Sequence, residues 1–128
     1  MDPNTHLGID RRLCGSPIAL ADGSATVRLQ GLPEMAADAR GLVHGGFVFG
    51  AADYAAMLAV NDPHVVLGGA DTRFLAPVAV GDAVDLIATR SAVKGRKHTI
   101  DVVGRVGDRE VFKGTFTCFV LDQHVLDR

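Results

Sequence analysis

The segment Gly45–Val60 constrains the fold of this chain more than any other. Its sixteen residues carry one formal charge, on Asp53, and a helix built from them would present apolar side chains on every side. A helix that is apolar all round must be enclosed by other structure, so the segment predicts a buried central helix. Asn61-Asp62-Pro63 is expected to end it, because a proline disfavours helical geometry at the residue before it.

The rest of the chain predicts β-strands separated by short turns. The candidate strands are Leu13–Ala21, Ser24–Leu32, His64–Ala70 with Thr72–Leu75, Ala83–Val93, Lys97–Val106 and Arg109–Leu121. Their separators, such as Asp22-Gly23, are short enough for antiparallel neighbours. We therefore predict an α+β fold, a single domain over residues 1–128, in which one curved antiparallel sheet wraps the central helix.

Composition and charge exclude several functional classes. With 13 Lys+Arg against 15 Asp+Glu, the net charge of −2 gives no drive toward nucleic acid or anionic membrane. The longest stretch without a formal charge, Gly41–Ala52, is too short to span a bilayer, and Met1–His6 lacks the pattern of a signal peptide. We expect a cytoplasmic protein that binds neither nucleic acid nor membrane.

The cysteines and histidines do not predict a metal site. Cys14 and Cys118 lie far apart and are expected to be reduced thiols. The five histidines and two cysteines show no close pair with zinc-ligand spacing, so we expect no metal.

Asp53 is the first candidate functional residue. Burying an unpaired carboxylate costs on the order of several kcal/mol, so Asp53 has a structural partner, belongs to a site, or lies at an interface. The alternative is that it hydrogen-bonds to nearby backbone and does nothing more.

The helix start, His44-Gly45-Gly46, is the second candidate. Glycines let a ligand approach the backbone closely, and the first N–H groups of a helix have no partner within the helix. These groups can hold a developing oxyanion at the positive end of the helix dipole. The alternative is a helix cap in which close packing requires glycine.

The spacing of these two candidates has a consequence for assembly. Asp53 lies about 12 Å along the helix from Gly45, at about 1.5 Å per residue, which is too far to act on a carbonyl held by Gly45. Two antiparallel helices across a two-fold axis would bring one Asp53 near the other Gly45. A shared site therefore requires a dimer.

The run GLVHGGFVFGAAD over Gly41–Asp53, followed by Phe74-Leu75-Ala76-Pro77 and Gly81-Asp82, resembles the PaaI-type hotdog-fold acyl-CoA thioesterases. The resemblance covers most of the chain after Leu13. It implies a hotdog fold, in which an antiparallel sheet wraps one long helix, and a homodimer or homotetramer. It also implies that coenzyme A is part of the substrate and not a cofactor.

The resemblance implies roles for individual residues. The Gly45 amide falls on the family's oxyanion donor, and Asp53 of the partner subunit falls on its general base or nucleophile. His44 either donates to the thioester carbonyl or holds the loop. Gly46 and Phe74 are expected to contact substrate.

Two positions depart from the family pattern. Asp38 stands six residues before the histidine, where the family often has Asn or Gln; it is either a substrate-site carboxylate or a solvated loop acid. Counting back from Pro77 to the family's water-holding Ser or Thr gives Leu67, which cannot serve. Thr72 is the nearby hydroxyl that remains a candidate.

The turn that contains Arg96 and Lys97 is the one concentrated basic patch in the sequence. It is either a solvated hairpin tip or a contact for the phosphates of coenzyme A.

Two other functions remain open at this level. One is a hotdog module that binds acyl-CoA without hydrolysing it, which the retained Asp53 disfavours. The other is a hydratase or dehydratase, whose sequence pattern is not matched here. The acyl group is left open as well: Phe47, Phe49, Met57 and Phe74 are candidates for an apolar pocket, and aryl and fatty acyl groups are both compatible.

Overall fold

The computed structural model describes residues 1–127, and one long helix dominates it. Helix α2 spans Gly45–Val60, as the sequence predicts. It ends where Asn61 adopts a left-handed conformation (φ 55°) and donates its N–H to the Met57 carbonyl. A shorter helix, α1, spans Arg11–Cys14 and packs against α2.

Six strands form one antiparallel sheet around α2. They are β1 (Ser16–Ala21), β2 (Ser24–Gln30), β3 (Val65–Phe74), β4 (Ala83–Lys94), β5 (Lys97–Val106) and β6 (Arg109–Val120). Their order across the sheet is β1-β2-β4-β5-β6-β3, so β1 and β3 are the edge strands. The predicted α+β class and the single curved antiparallel sheet are confirmed.

The sheet encloses α2 with the alternate residues of its strands. Val27, Leu86, Val102 and Phe116 come from four different strands and are fully buried against the helix side of the sheet. Nine of the sixteen residues of α2 are buried as well. The prediction that an all-apolar helix must be enclosed is therefore confirmed within one protomer.

Two predicted strands differ from the observed ones by more than a shift of one or two residues at an end. Leu13 and Cys14 belong to α1 because Asp10 caps that helix, accepting a hydrogen bond from the Arg12 N–H, and Gly15 turns the chain into β1. The predicted break at Asp71 is absent because Asp71 pairs with Thr115 on β6, so that β3 is one continuous strand.

Candidate active site

The N-terminus of α2 carries free backbone donors. His44 is the N-cap residue in an extended conformation (φ −63°, ψ 130°), and its side chain makes no capping hydrogen bond. Within residues 1–127 the N–H groups of Gly45 and Gly46 find no acceptor, whereas the Phe47 N–H donates to the His44 carbonyl. Two adjacent amides at the positive end of a helix form a site for a negatively charged oxygen.

Aromatic side chains surround these two glycines. The Phe74 ring lies over Gly45, with Cε1 3.1 Å from the position that a Cβ on Gly45 would occupy. The His44 imidazole folds over Gly46, with Nε2 3.0 Å from the corresponding Cβ position. Glycine at both positions therefore makes room for the two rings, as expected of a closely packed helix cap. The N–H groups of both glycines nevertheless stay free, so an oxyanion site is compatible with this packing.

Asp53 lies two turns further along the helix and has no hydrogen-bond partner within residues 1–127. Its Oδ1 is buried and forms no hydrogen bond with any residue of the described chain. Burial raises the pKa of this carboxyl from 3.8 to about 6. Nearby backbone therefore does not hydrogen-bond this oxygen, contrary to the alternative interpretation of Asp53. The raised pKa of the carboxyl suits proton transfer near neutral pH.

Two thiols lie in the electrostatic field of Asp53. Burial, and after it the Asp53 charge, raises the pKa of Cys118 to about 12. The pKa of Cys14 is also raised, first by burial and then by the charges of Asp10 and Asp53. Both cysteines are free, and their raised pKa values argue against a nucleophilic role.

The remaining predicted residues lie in three places. Asp38 is exposed, and its Oδ1 accepts hydrogen bonds from the Arg40 N–H (2.9 Å) and the Leu42 N–H (3.2 Å) in the loop that leads to the helix. Thr72 is half-buried on β3 opposite Gly114, where a Cβ on the glycine would lie 2.8 Å from its Cγ2. Asp38 therefore shapes the loop, and Thr72 fills the space left by a glycine.

Arg96 and Lys97 lie at the far end of the sheet. Lys97 pairs with Phe119 on β6, whereas Phe74, which covers Gly45, pairs with Phe112. Seven residues of a strand separate these two points by about 23 Å at about 3.3 Å per residue. Arg96 is ion-paired with Asp122 at 2.6 Å. Within one protomer the basic turn is therefore remote from the helix N-terminus.

An apolar pocket of about 260 Å³ adjoins Gly45, and of the four residues predicted to line an apolar pocket only Phe74 belongs to its walls. Its walls come from the loop before α2, the first turn of α2, the end of β3, the chain after it and β6: Leu42, Val43, Gly45, Val48, Phe74, Ala76, Pro77, Val78 and Val111. The Val43 N–H donates to the Val78 carbonyl, and Leu42 bridges Ala79, so two distant segments form one wall. A more open hollow with Asp38 and Arg40 at its rim shares Leu42, Pro77 and Val78 with this pocket.

The described residues contain neither a candidate metal cluster nor a candidate membrane-spanning helix. Residues 1–127 contain no cluster of three or more His, Cys, Asp or Glu side chains that could hold a metal ion. The same range includes no helix long and apolar enough to cross a membrane.

Two solved structures resemble the chain over most of its length. An uncharacterized protein from Pyrococcus horikoshii is 47% identical with a TM-score of 0.98, over 99% of this chain and 98% of that one. A point mutant of the phenylacetic acid degradation protein PaaI from Thermus thermophilus is 28% identical with a TM-score of 0.78, over 85% of this chain and 95% of that one.

The curated relatives are longer than this chain. A methylthioribose-1-phosphate isomerase from Aquifex aeolicus is 51% identical over 123 residues, which are 95% of this chain and 27% of that protein. The transcription factor FapR from Thermoanaerobacter sp. is 29% identical over 87 residues, which are 68% of this chain and 44% of that protein. The chain thus spans about a quarter of the isomerase and less than half of FapR. Most of each of these two proteins lies outside the matched region.

The family model of the thioesterase superfamily matches residues 40–113, which include the helix N-terminus, Asp53, Phe74 and most of the sheet. The resemblance to PaaI-type hotdog thioesterases is thereby confirmed, as is the hotdog arrangement of the sheet and helix. The chain belongs to the thioesterase superfamily.

Proposed function

We propose that the protein is an acyl-CoA thioesterase that hydrolyses a CoA thioester to the free acid and coenzyme A. The Gly45 N–H binds the thioester carbonyl, and Asp53 of the partner subunit acts as general base or nucleophile. One observation carries this proposal: the same helix presents a free amide at its N-terminus and a carboxylate whose buried Oδ1 has no partner within residues 1–127.

The chemistry follows from these two groups. As water or the carboxylate adds to the carbonyl carbon, negative charge develops on the carbonyl oxygen, and the amide at the positive end of the helix stabilises it. The C–S bond then breaks, and coenzyme A leaves as a thiolate. With a pKa of about 6, Asp53 is largely ionised at neutral pH and still accepts a proton effectively.

The proposed site requires two chains. Along one helix, Gly45 and Asp53 are about 12 Å apart, so each site would combine Gly45 of one protomer with Asp53 of the other. Strand β3 supports such pairing because it is an edge strand of ten residues whose outer edge is open. Proteins usually cover an edge of this length. We propose a homodimer, or a homotetramer built from two such dimers.

The other candidate residues take supporting roles in this proposal. His44, Gly46 and Phe74 line the helix N-terminus, Asp38 holds the loop before it, and Thr72 is the candidate for binding water. Any contact of Arg96 and Lys97 with the phosphates of coenzyme A would come from the partner subunit. Reduced thiols at Cys14 and Cys118 fit the proposed cytoplasmic location.

The first experiment measures release of free thiol from a panel of acyl-CoA thioesters by the wild type and by Asp53→Asn. The substitution keeps the shape of the side chain and removes the base. We expect turnover by the wild type and a loss of at least about 100-fold in the variant, with dimerisation unchanged by sedimentation. Equal rates for the two proteins would disprove the role of Asp53.

The second experiment tests the amide. Gly45→Pro removes the N–H at the first helical position, where proline is tolerated, and His44 already has the extended backbone that precedes proline. Gly45→Ala is the matched control, because it adds a Cβ and keeps the N–H. We expect Gly45→Pro to lose about 100-fold or more in kcat, and Gly45→Ala to lose much less.

Mixing the two inactive variants tests whether the site is shared. Asp53→Asn and Gly45→Pro chains, combined in equal amounts and allowed to exchange, would form mixed dimers with one intact site. Random exchange should restore about a quarter of the wild-type activity. A site within one chain would give no recovery.

A second candidate is a regulatory module that binds acyl-CoA without hydrolysing it, because 87 residues of the chain match part of a protein named as a transcription factor, FapR. Saturable binding of acyl-CoA by the wild type, with no thiol release from any member of the panel, would favour this function over the thioesterase.

A further inference from the structure

We infer that the apolar pocket beside Gly45 receives the acyl group, and that this group is an apolar one without hydrogen-bonding substituents. The inference rests on the proposed function and deepens it by naming the substrate class. It depends on the lining of the pocket, on its position and on its volume.

The side chains that line the pocket offer no hydrogen bonds. Apart from Gly45, every lining residue has an aliphatic side chain, a proline ring or the Phe74 ring. Two backbone carbonyls of the walls are engaged as well: the Val111 carbonyl accepts from the Leu75 N–H (2.9 Å), and the Val78 carbonyl accepts from the Val43 N–H (2.8 Å). The Gly45 N–H, in contrast, has no partner in the described chain.

The position of the pocket favours the acyl group over the pantetheine arm of coenzyme A. A thioester carbonyl bound at the Gly45 N–H places its acyl chain and its sulfur on opposite sides of the carbonyl carbon. The pantetheine arm contains two amides and a hydroxyl, which would lose their hydrogen bonds to water in a pocket of this lining. The adjoining hollow, with Asp38 and Arg40 at its rim, is the more polar surface.

The volume limits the size of the group. The pocket encloses about 260 Å³. A cavity of about 150 Å³ lined by apolar side chains holds benzene. The pocket therefore has room for an aromatic ring or for an aliphatic chain of medium length. Both are apolar groups, which this lining accepts.

A hydroxyl on the acyl group should weaken binding. In this pocket it would lose its hydrogen bonds to water and gain none in return. Apolar pockets discriminate against an added hydroxyl by on the order of 10- to 100-fold. The pocket is therefore expected to select against hydroxylated acyl groups by a factor in this range.

The test measures Kd on the Asp53→Asn variant, in which the expected loss of turnover leaves the ligand intact during the measurement. The ligands are two matched pairs, benzoyl-CoA with 4-hydroxybenzoyl-CoA and hexanoyl-CoA with 6-hydroxyhexanoyl-CoA. We expect the unsubstituted member of at least one pair to bind about tenfold tighter or more, and the pair with the larger difference shows whether an aryl or an aliphatic group fits. Equal Kd values within both pairs would overturn the inference.

Substitutions in the wall locate the selection. Val78→Thr adds a hydroxyl to the pocket without changing the shape of the side chain, and it should reduce the preference to less than about threefold. Val65→Thr is the matched control, since Val65 and Val78 are both 5% exposed. Val65 is the first residue of β3, whereas the pocket lies at the last residue of that strand, Phe74. Ala76→Ser adds a hydroxyl at a half-buried position of the wall and replaces Val78→Thr in the test if that variant does not fold. An unchanged preference in the wall variant would overturn the assignment of the pocket.

Thiol release by the wild type, measured beside Kd, separates failure of the proposed thioesterase activity from failure of the proposed acyl pocket. Tight binding with the expected preference but without thiol release would disprove the thioesterase and retain the pocket. Thiol release that depends on Asp53 but shows no preference would retain the thioesterase and disprove the pocket. Absence of saturable binding for every ligand would overturn both.

Discussion

The ring of Phe74 covers the first residue of the long helix: its Cε1 lies 3.1 Å from the position of a Cβ on Gly45. The ring is held by an edge-on contact with Phe112, with centroids 5.3 Å apart, although 56% of the Phe74 residue is exposed. An exposed aromatic side chain packed beside Gly45 forms one wall of the pocket as well as part of the protein's surface. The Phe74 ring therefore links the end of β3 to the start of α2.

This coupling predicts how Gly45→Ala behaves. The new methyl group would push the Phe74 ring away by a few tenths of an ångström, so we expect kcat/KM to fall by roughly tenfold, because a small misplacement at the site is costly. Phe74→Leu in the same chain should restore most of the loss by removing the clash. A double-mutant cycle on kcat/KM measures the coupling, and additive effects would show that the contact has no role.

Burial of Asp53 predicts that stability falls as pH rises. Its pKa is about 6 in the folded protein against 3.8 ordinarily, so between these values the folded state binds more protons than the unfolded state. The free energy of unfolding therefore decreases through this interval. We expect Asp53→Asn to gain about 1–2 kcal/mol relative to the wild type on going from about pH 4 to about pH 7.5, allowing for partial exposure.

Urea unfolding at a fixed protein concentration checks this prediction, because the apparent stability of a dimer depends on concentration. Asp108→Asn is the control: this carboxylate is exposed in the turn between β5 and β6, and its removal should leave the pH dependence as in the wild type. A gain for Asp53→Asn that does not change with pH would show that burial of the charge is not its cause.

The same carboxyl predicts a pH dependence of the proposed reaction. Asp53 must be ionised to act as base or nucleophile, so kcat/KM should rise with pH to a plateau, with a midpoint near the pKa of about 6. Thiol release followed from about pH 4.5 to about pH 8 measures this profile. A flat profile over this range would exclude Asp53 as the group whose ionisation controls the rate.

The sequence predicted the features that depend on local pattern. The bounds of α2 follow from its apolar composition and from Asn61-Asp62-Pro63, and its burial follows from the absence of a polar face. The break expected at Asp71 is wrong for a physical reason: a charged residue in an edge strand turns its side chain to solvent and still pairs through its backbone. Sequence alone does not distinguish that arrangement from a turn.

The pocket could not be predicted in the same way. Its walls join Leu42 and Val43 to Ala79 and Val78 through backbone pairing between segments more than thirty residues apart in sequence. Such apolar residues look like ordinary core or loop positions until the segments are paired. In contrast, the pattern did indicate that Oδ1 of Asp53 would lack a partner within residues 1–127, because a lone carboxylate on an apolar helix has few neighbours able to hydrogen-bond with it.

Gly15 allows a test of the fold that is independent of function. Its φ of +92° is strained for any side chain, and a Cβ there would lie 2.5 Å from Cγ1 of Val27, which is fully buried. Gly15→Ala should therefore destabilise the protein by about 2 kcal/mol or more, through backbone strain and overpacking together. Gly8→Ala, where a Cβ would meet nothing within 4 Å, should change stability little. Urea denaturation of both variants measures the difference, and similar midpoints for the two would contradict the packing of Gly15 against Val27 of β2.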